Sequence, residues 1–236
     1  MFNKNDIRNY FSNTIENSNK SISNISNISN ISNISNISTI TIETDYLVFT
    51  DGSSFNNGSK TKKHYGGIGV FFGDNEENIS EPLEGQITNN IAELKACIKA
   101  IQTLINKPEF NKNTNTINNK KIIIYTDSEY VLNCMTKWCK TWCKNGWTKN
   151  NYRSKKTEQV KNKDLLEELY KLYLLYKIKM KHSRAHRCEP NNKNTLDYKI
   201  WYGNMMADLL AKKGSIKCKS TSNYKSIGSF NSFFPN

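Results

Sequence analysis

The chain has 236 residues, 36% of them hydrophobic, and a formal net charge of +13. No apolar run approaches the ~18 residues that span a bilayer, and the N-terminal MFNKNDIRNYF has no apolar signal core, so an intracellular protein is expected, neither secreted nor membrane-bound. The excess of Lys and Arg suits a polyanionic partner, nucleic acid or an anionic surface.

Residues 1–20 form a short N-terminal peptide. Residues 21–43 centre on SISNISNISNISNISNIS, whose three-residue period matches neither a strand nor a helix face, and they read as a low-complexity linker. A folded domain is expected over 44–216, with a tail at 217–236. Within the domain, YLVFTD (46–51) and YGGIGVFF (65–72) read as strands, and a third is expected over 77–86. IAELKACIKAIQTLI (91–105) places apolar residues at 91, 94, 98, 101 and 105, which is helical spacing, with Thr88, Asn89 or Asn90 available as its cap. KIIIYTD (121–127) is apolar without alternation, as in a central strand covered on both faces. Helices are expected after Ser128, over 164–176 and over 201–213, and a last strand over 177–183. Strands in a hairpin series, then alternating with helices, argue for a mixed sheet flanked by helices. The six cysteines (97, 134, 139, 143, 188 and 218) form no paired C-x-x-C and are expected as reduced thiols.

Two of the expected strands end in aspartate, Asp51 in FTDGS and Asp127 in YTDSE. Sites of open α/β sheets form at the carboxyl ends of strands. A carboxylate at the mouth of a core strand is costly unless something positive meets it. Glu93, in a helix otherwise apolar on its core side, and Asp208, in NMMADLLAKKG, supply two more carboxylates.

The segments D51-G52-S53, T88-N89-N90-I91-A92-E93, T126-D127-S128 and G203-N204-M205-M206-A207-D208 together resemble the motifs of the ribonuclease H type 1 family, in order and context. W138, W142, N145-G146-W147 and V160-K161-N162-K163 resemble that family's basic protrusion, and the likeness covers residues 44–215. The resemblance implies an α/β ribonuclease H-like fold: a five-stranded mixed sheet, its first three strands antiparallel and the rest parallel, flanked by helices and carrying a basic protrusion. It also implies an endoribonuclease that hydrolyses the RNA strand of RNA–DNA hybrids, leaving 5′-phosphate and 3′-hydroxyl ends. Asp51, Glu93, Asp127 and Asp208 would be its catalytic metal ligands. Converging carboxylates cannot all stay ionised without cations. Hard divalent ions with oxygen ligands meet that need, so two Mg²⁺ ions are expected, with Mn²⁺ as the alternative.

His186, in KHSRAH, matches the family's histidine for proton transfer or product release, and His182 is its rival. Residues 137–163 hold nine Lys or Arg against the single acidic Glu158, interleaved with Trp138, Trp142 and Trp147. Cations on phosphates and rings on sugars suit a nucleic-acid backbone. By resemblance, Trp138 and Trp142 meet sugars of the DNA strand, and Thr88 and Asn162 hold a DNA phosphate. Asn57, Asn89 and Asn90 match positions that contact the substrate in the shallow groove, where 2′-hydroxyls distinguish RNA. The stretch 187–203 is a longer loop than in common relatives. The enzyme is expected to be a monomer. Segments 4–11 (KNDIRNYF) and 227–234 (IGSFNSFF) resemble the aromatic-pair peptide that docks on sliding clamps, although Lys4 and Ile227 stand where Gln is usual.

Overall fold

The computed structural model describes residues 45–56, 64–151, 156–185 and 187–228. Asn57, His186, the segment 1–44 and the aromatic residues Phe230, Phe233 and Phe234 lie outside the described residues. Strands β1 (Asp45–Phe55), β2 (Tyr65–Phe71) and β3 (Ile79–Leu83) form an antiparallel meander. Helix α1 (Asn89–Ile105) follows, then the two-residue strands β4 (Phe110–Asn111) and β5 (Thr116–Ile117), then β6 (Lys120–Thr126). β6 runs parallel to β1, and β9 (Lys179–His182) runs parallel to β6 on its other edge. The five expected strands are therefore present in the order β3-β2-β1-β6-β9, and β4 and β5 bring the sheet to seven.

Between β6 and β9 lie a helical segment, a hairpin and a helix. The helical segment comprises α2 (Glu129–Asn133), a π-helical turn (Cys134–Trp138) and α3 (Cys139–Lys144). The hairpin pairs β7 (Thr148–Asn151) with β8 (Lys156–Gln159) as a separate two-stranded sheet. Helix α4 (Lys163–Leu175) leads into β9. Trp147 is the buried anchor of this protrusion, set edge-on to Tyr170 at 6.5 Å, while Trp138 is 39% exposed. Cys97, Cys134, Cys139, Cys143 and Cys188 are free thiols.

Most boundaries shift by one to three residues, and two elements run well beyond expectation. β1 does not stop at Asp51 but continues to Phe55, because the hairpin with β2 supplies backbone partners from Gly52↔Ile68 to Phe55↔Tyr65. The last helix, α5, spans Leu196–Gly228 rather than 201–213. The Thr195 hydroxyl accepts from the Tyr198 amide at 3.2 Å and so starts α5 inside the stretch expected as a loop. Its other end runs twelve residues into the expected tail (217–228), where no proline interrupts it.

Both helices that flank β1 and β2 approach the backbone directly. A Cβ on Gly52 would lie 2.3 Å from the Glu93 amide nitrogen, so α1 rests on β1 at that point. On the other face a Cβ on Gly69 would lie 2.1 Å from the Ala207 carbonyl oxygen, and one on Gly203 would strike the Phe49 ring at 2.3 Å. The stripe Gly203–Ala207–Ala211–Ser215, one residue per turn, is the face α5 lays on the sheet. Around it Phe49, Phe71, Ile123 and Tyr125 form a buried cluster with Ala207. Val48, Ile124, Leu94 and Ile101 are buried with almost no exposure. A methyl group at Gly69 has no room, so Gly69→Ala should destabilise the domain by about 1–3 kcal/mol. Urea denaturation checks this: the midpoint falls with an unchanged m-value, and an unchanged midpoint would contradict the close packing of α5.

Candidate active site

Register places the first two carboxylates side by side. β1 and β6 are paired in parallel up to Thr50↔Thr126, so Asp51 and Asp127 follow at the same level. Alternation sends Phe49, Asp51, Tyr125 and Asp127 toward the face that α5 covers. Directly beneath the acids, Phe49 stacks on Tyr125 at 5.4 Å. Thr50 turns the other way, its Oγ1 3.3 Å from Cys97 Sγ on α1. Gly52 then lets α1 bring Glu93 alongside. One carboxylate oxygen from each of Asp51, Glu93 and Asp127 lies within 4.8 Å of the others. Asp208, from α5, lines the same cleft of about 440 Å³, and its Oδ2 accepts from Lys212 Nζ at 2.7 Å.

Asp51 does not stand open at a strand end, as the sequence implied; it is mid-strand and only 7% exposed. Burial first, then Asp127 and Asp208, push its carboxyl up to about 7. Glu93, 5% exposed, is held well above the ordinary carboxylate range by burial and by Asp51 and Asp127. Burial also raises Asp127, against a hydrogen bond from Asn204. Glu93 Oε2 is buried without a hydrogen-bond partner. An orphaned carboxylate oxygen beside two further carboxylates, with no sulfur or imidazole in the cluster among the described residues, fits a hard divalent cation.

Two residues outside the sequence-derived set hold Asp127 in place. Ser183 donates from its backbone to the Thr126 carbonyl at 3.0 Å and from its hydroxyl to Asn204 Oδ1 at 2.6 Å. That bond fixes the Asn204 amide, whose NH₂ is left to donate to Asp127. Asn204 sits one helical turn before Asp208 in the G-N-M-M-A-D segment, which was the signal available in the sequence. Arg184, Arg187 and Trp201 also line the cleft and were not foreseen. Arg187 pairs with Asp197 at 2.7 Å, and Trp201 Nε1 donates to the Arg187 carbonyl at 3.0 Å.

The expected substrate contacts divide. Asn89 lines the cleft and its Oδ1 accepts from Ser54 at 3.0 Å, while Asn90 is exposed in the first turn of α1. Thr88 is the cap of α1, its hydroxyl accepting from the Ile91 amide at 3.3 Å. Trp138 and Trp142 pack against each other at 5.6 Å with ring planes 41° apart. Asn162 takes a left-handed φ of 57° at the start of α4, and its side chain hydrogen-bonds Tyr130. His182 Nε2 is 3.2 Å from the Asp127 carbonyl oxygen.

A mixed sheet that gathers buried carboxylates at adjoining strands defines a protein whose cleft can hold a hard cation. The RNase H family model matches residues 43–216, and the chain belongs to that family. It is 33% identical to a Ribonuclease H of Schizosaccharomyces pombe over 171 residues, which is 72% of this chain and 52% of that protein. It is 30% identical to a Ribonuclease H of Clostridium botulinum over 140 residues, 59% of this chain and 83% of that protein. The solution structure of the PFV RNase H domain superposes with a TM-score of 0.51 at 24% identity, covering 72% of this chain and 93% of that one, and shares the fold. The chain thus spans about half the length of the yeast relative it matches.

The raised carboxyls carry a stability consequence. Between the ordinary 3.8 and about 7, Asp51 binds more protons folded than unfolded, so the metal-free protein loses stability as pH rises through that interval. Glu93→Gln removes one of the repelling charges. In chelator its melting temperature should exceed that of the wild type, with a wider gap at pH 8 than at pH 5, and Mg²⁺ should narrow the gap by stabilising the wild type. An equal gap at both pH values would contradict the electrostatic account.

Proposed function

We propose that the chain is an endoribonuclease that hydrolyses the RNA strand of RNA–DNA hybrids and leaves 5′-phosphate and 3′-hydroxyl ends. The observation that carries this reading is the convergence of Asp51, Glu93 and Asp127 within 4.8 Å, inside an RNase H family domain. With Asp208 they would hold two Mg²⁺ ions, Mn²⁺ serving in their place. When bound, such a pair supplies an activated water for in-line attack on phosphorus and neutralises the departing 3′-oxygen.

The chain's own groups position the reaction. Ser183 and Asn204 hold Asp127 against its neighbours' repulsion, and Gly52 sets the distance between Asp51 and Glu93. Asn89 faces the cleft beside the carboxylates, and in this reading Asn57, Asn89 and Asn90 meet the shallow groove of the hybrid. Trp138 and Trp142 offer ring faces for DNA sugars, with Lys and Arg of 137–163 on phosphates. Thr88 and Asn162 hold a DNA phosphate, and the Thr88 hydroxyl does so while capping α1. His186 serves proton transfer or product release. The folded domain of 44–216 is the catalytic unit of an intracellular monomer, with 1–20, 21–43 and 217–236 as flanking segments.

Cleavage of a 5′-labelled RNA–DNA hybrid in Mg²⁺, beside single-stranded RNA, double-stranded RNA and DNA, tests the activity. Internal cuts should appear in the hybrid's RNA alone and fall at least about a hundredfold in Asp127→Asn. Tight hybrid binding with no cleavage in Mg²⁺ or Mn²⁺ would replace this reading with a binding module. The aromatic pairs of 4–11 and 227–234 are proposed to dock on a sliding clamp. Clamp pull-down should then weaken in Tyr10→Ala/Phe11→Ala or in Phe233→Ala/Phe234→Ala, and full retention by both ends the idea.

A further inference from the structure

Of the four carboxylates around the cleft, Asp208 alone has an ion-pair partner among the described residues. Lys212 Nζ donates to its Oδ2 at 2.7 Å. The two residues are four apart on α5, so the helix holds them on one face. The small-residue stripe Gly203–Ala207–Ala211 fixes α5 on the sheet, which sets where both side chains start. Asp208 is not one of the three acids whose oxygens converge within 4.8 Å, although it lines the same cleft. The Lys212 side chain is 50% exposed and that of Asp208 30%, so the ammonium can leave for water while the carboxylate stays at the cleft.

We propose that Lys212 is a built-in counter-ion that competes with the second metal ion for Asp208. The inference rests on the metal reading given above. A Mg²⁺ ion needs a carboxylate oxygen at about 2.0–2.1 Å and repels a neighbouring ammonium. With Lys212 on Oδ2, only Oδ1 is left for a cation, and that cation enters a site whose charge is already one unit less negative. Lys212 therefore weakens the Asp208-dependent ion rather than forbidding it. In the metal-free protein the same contact relieves the repulsion that a fourth unpaired carboxylate would add. Its role is positioning and electrostatic: it decides when Asp208 is available.

The test is Mg²⁺ titration calorimetry on the full chain without substrate, with thermal unfolding in chelator to establish that each variant folds. Lys212→Met keeps the aliphatic stem and removes the charge. It should tighten the Asp208-dependent Mg²⁺ site by about three- to tenfold, while Lys212→Arg should leave the affinity near wild type. In an Asp208→Asn background, Lys212→Met should have a clearly smaller effect, limited to the longer-range attraction between Lys212 and Asp51. Unchanged or weaker Mg²⁺ binding in Lys212→Met, with a normal wild-type titration, overturns the counter-ion role alone. So does a loss of hybrid binding in chelator with metal affinity unmoved, which would place Lys212 on the substrate. A wild-type chain that takes up no Mg²⁺ overturns the metal reading and this inference with it.

Discussion

Mutual repulsion among buried carboxylates is the constraint around which the domain is arranged. Asp51 and Glu93 are almost fully enclosed, and neither has a cationic partner of its own among the described residues. Left alone, such a cluster would push α1, β1 and β6 apart. The surrounding core resists that: Phe49, Tyr125, Phe71 and Ile123 lie beneath the acids on one side, and Val48, Ile124 and Leu94 are buried as well. The site is rigid because its acids are rooted in packed elements, and it can hold a cation because those elements keep the acids close without one.

Backbone-to-backbone contact is what makes that closeness achievable. Helices usually rest on a sheet across a layer of apolar side chains. Here Gly52 and Gly69 remove that layer at two points on adjoining strands, one for each flanking helix. Glu93 and Asp208 therefore reach the cleft from helices that rest directly on the strands. Ser183 and Asn204 add a directional element, since a buried hydrogen-bond chain from β9 through α5 points at Asp127. Two segments remote in sequence from Asp127 thereby act on that one carboxylate.

Much of this was legible in the sequence, and the reasons are specific. The two Thr-Asp steps and the carboxylates at 93 and 208 stand out because burying an acid is unfavourable enough to need a purpose. The boundary of β1 was not legible: the apolar run stops at Asp51, but pairing with β2 carries the strand four residues further. The start of α5 was hidden in an Asn-rich stretch whose one signal is the Thr195 cap. The β7–β8 pair is built from Thr, Lys, Asn, Glu and Gln, residues that mostly disfavour strands, so only the pairing of one strand with the other reveals it. Ser183 and Asn204 were missed because their role exists only across the fold. Asn57 and His186 lie outside the described residues.

The π-helical turn at Cys134–Trp138 carries a consequence for helical phase. Val131, Cys134, Met135 and Cys139 are the buried residues of this segment, spaced three, one and four apart. In an unbroken α-helix the residue seven beyond Val131, Trp138, would lie almost in line with it. The wider turn holds one more residue, so Cys139 takes the inward position and Trp138 rotates outward. The exposed indole beside Trp142 thus depends on a count of residues rather than on any one side chain. A single inserted or deleted codon could create or erase that aromatic platform while leaving every acid of the cleft untouched.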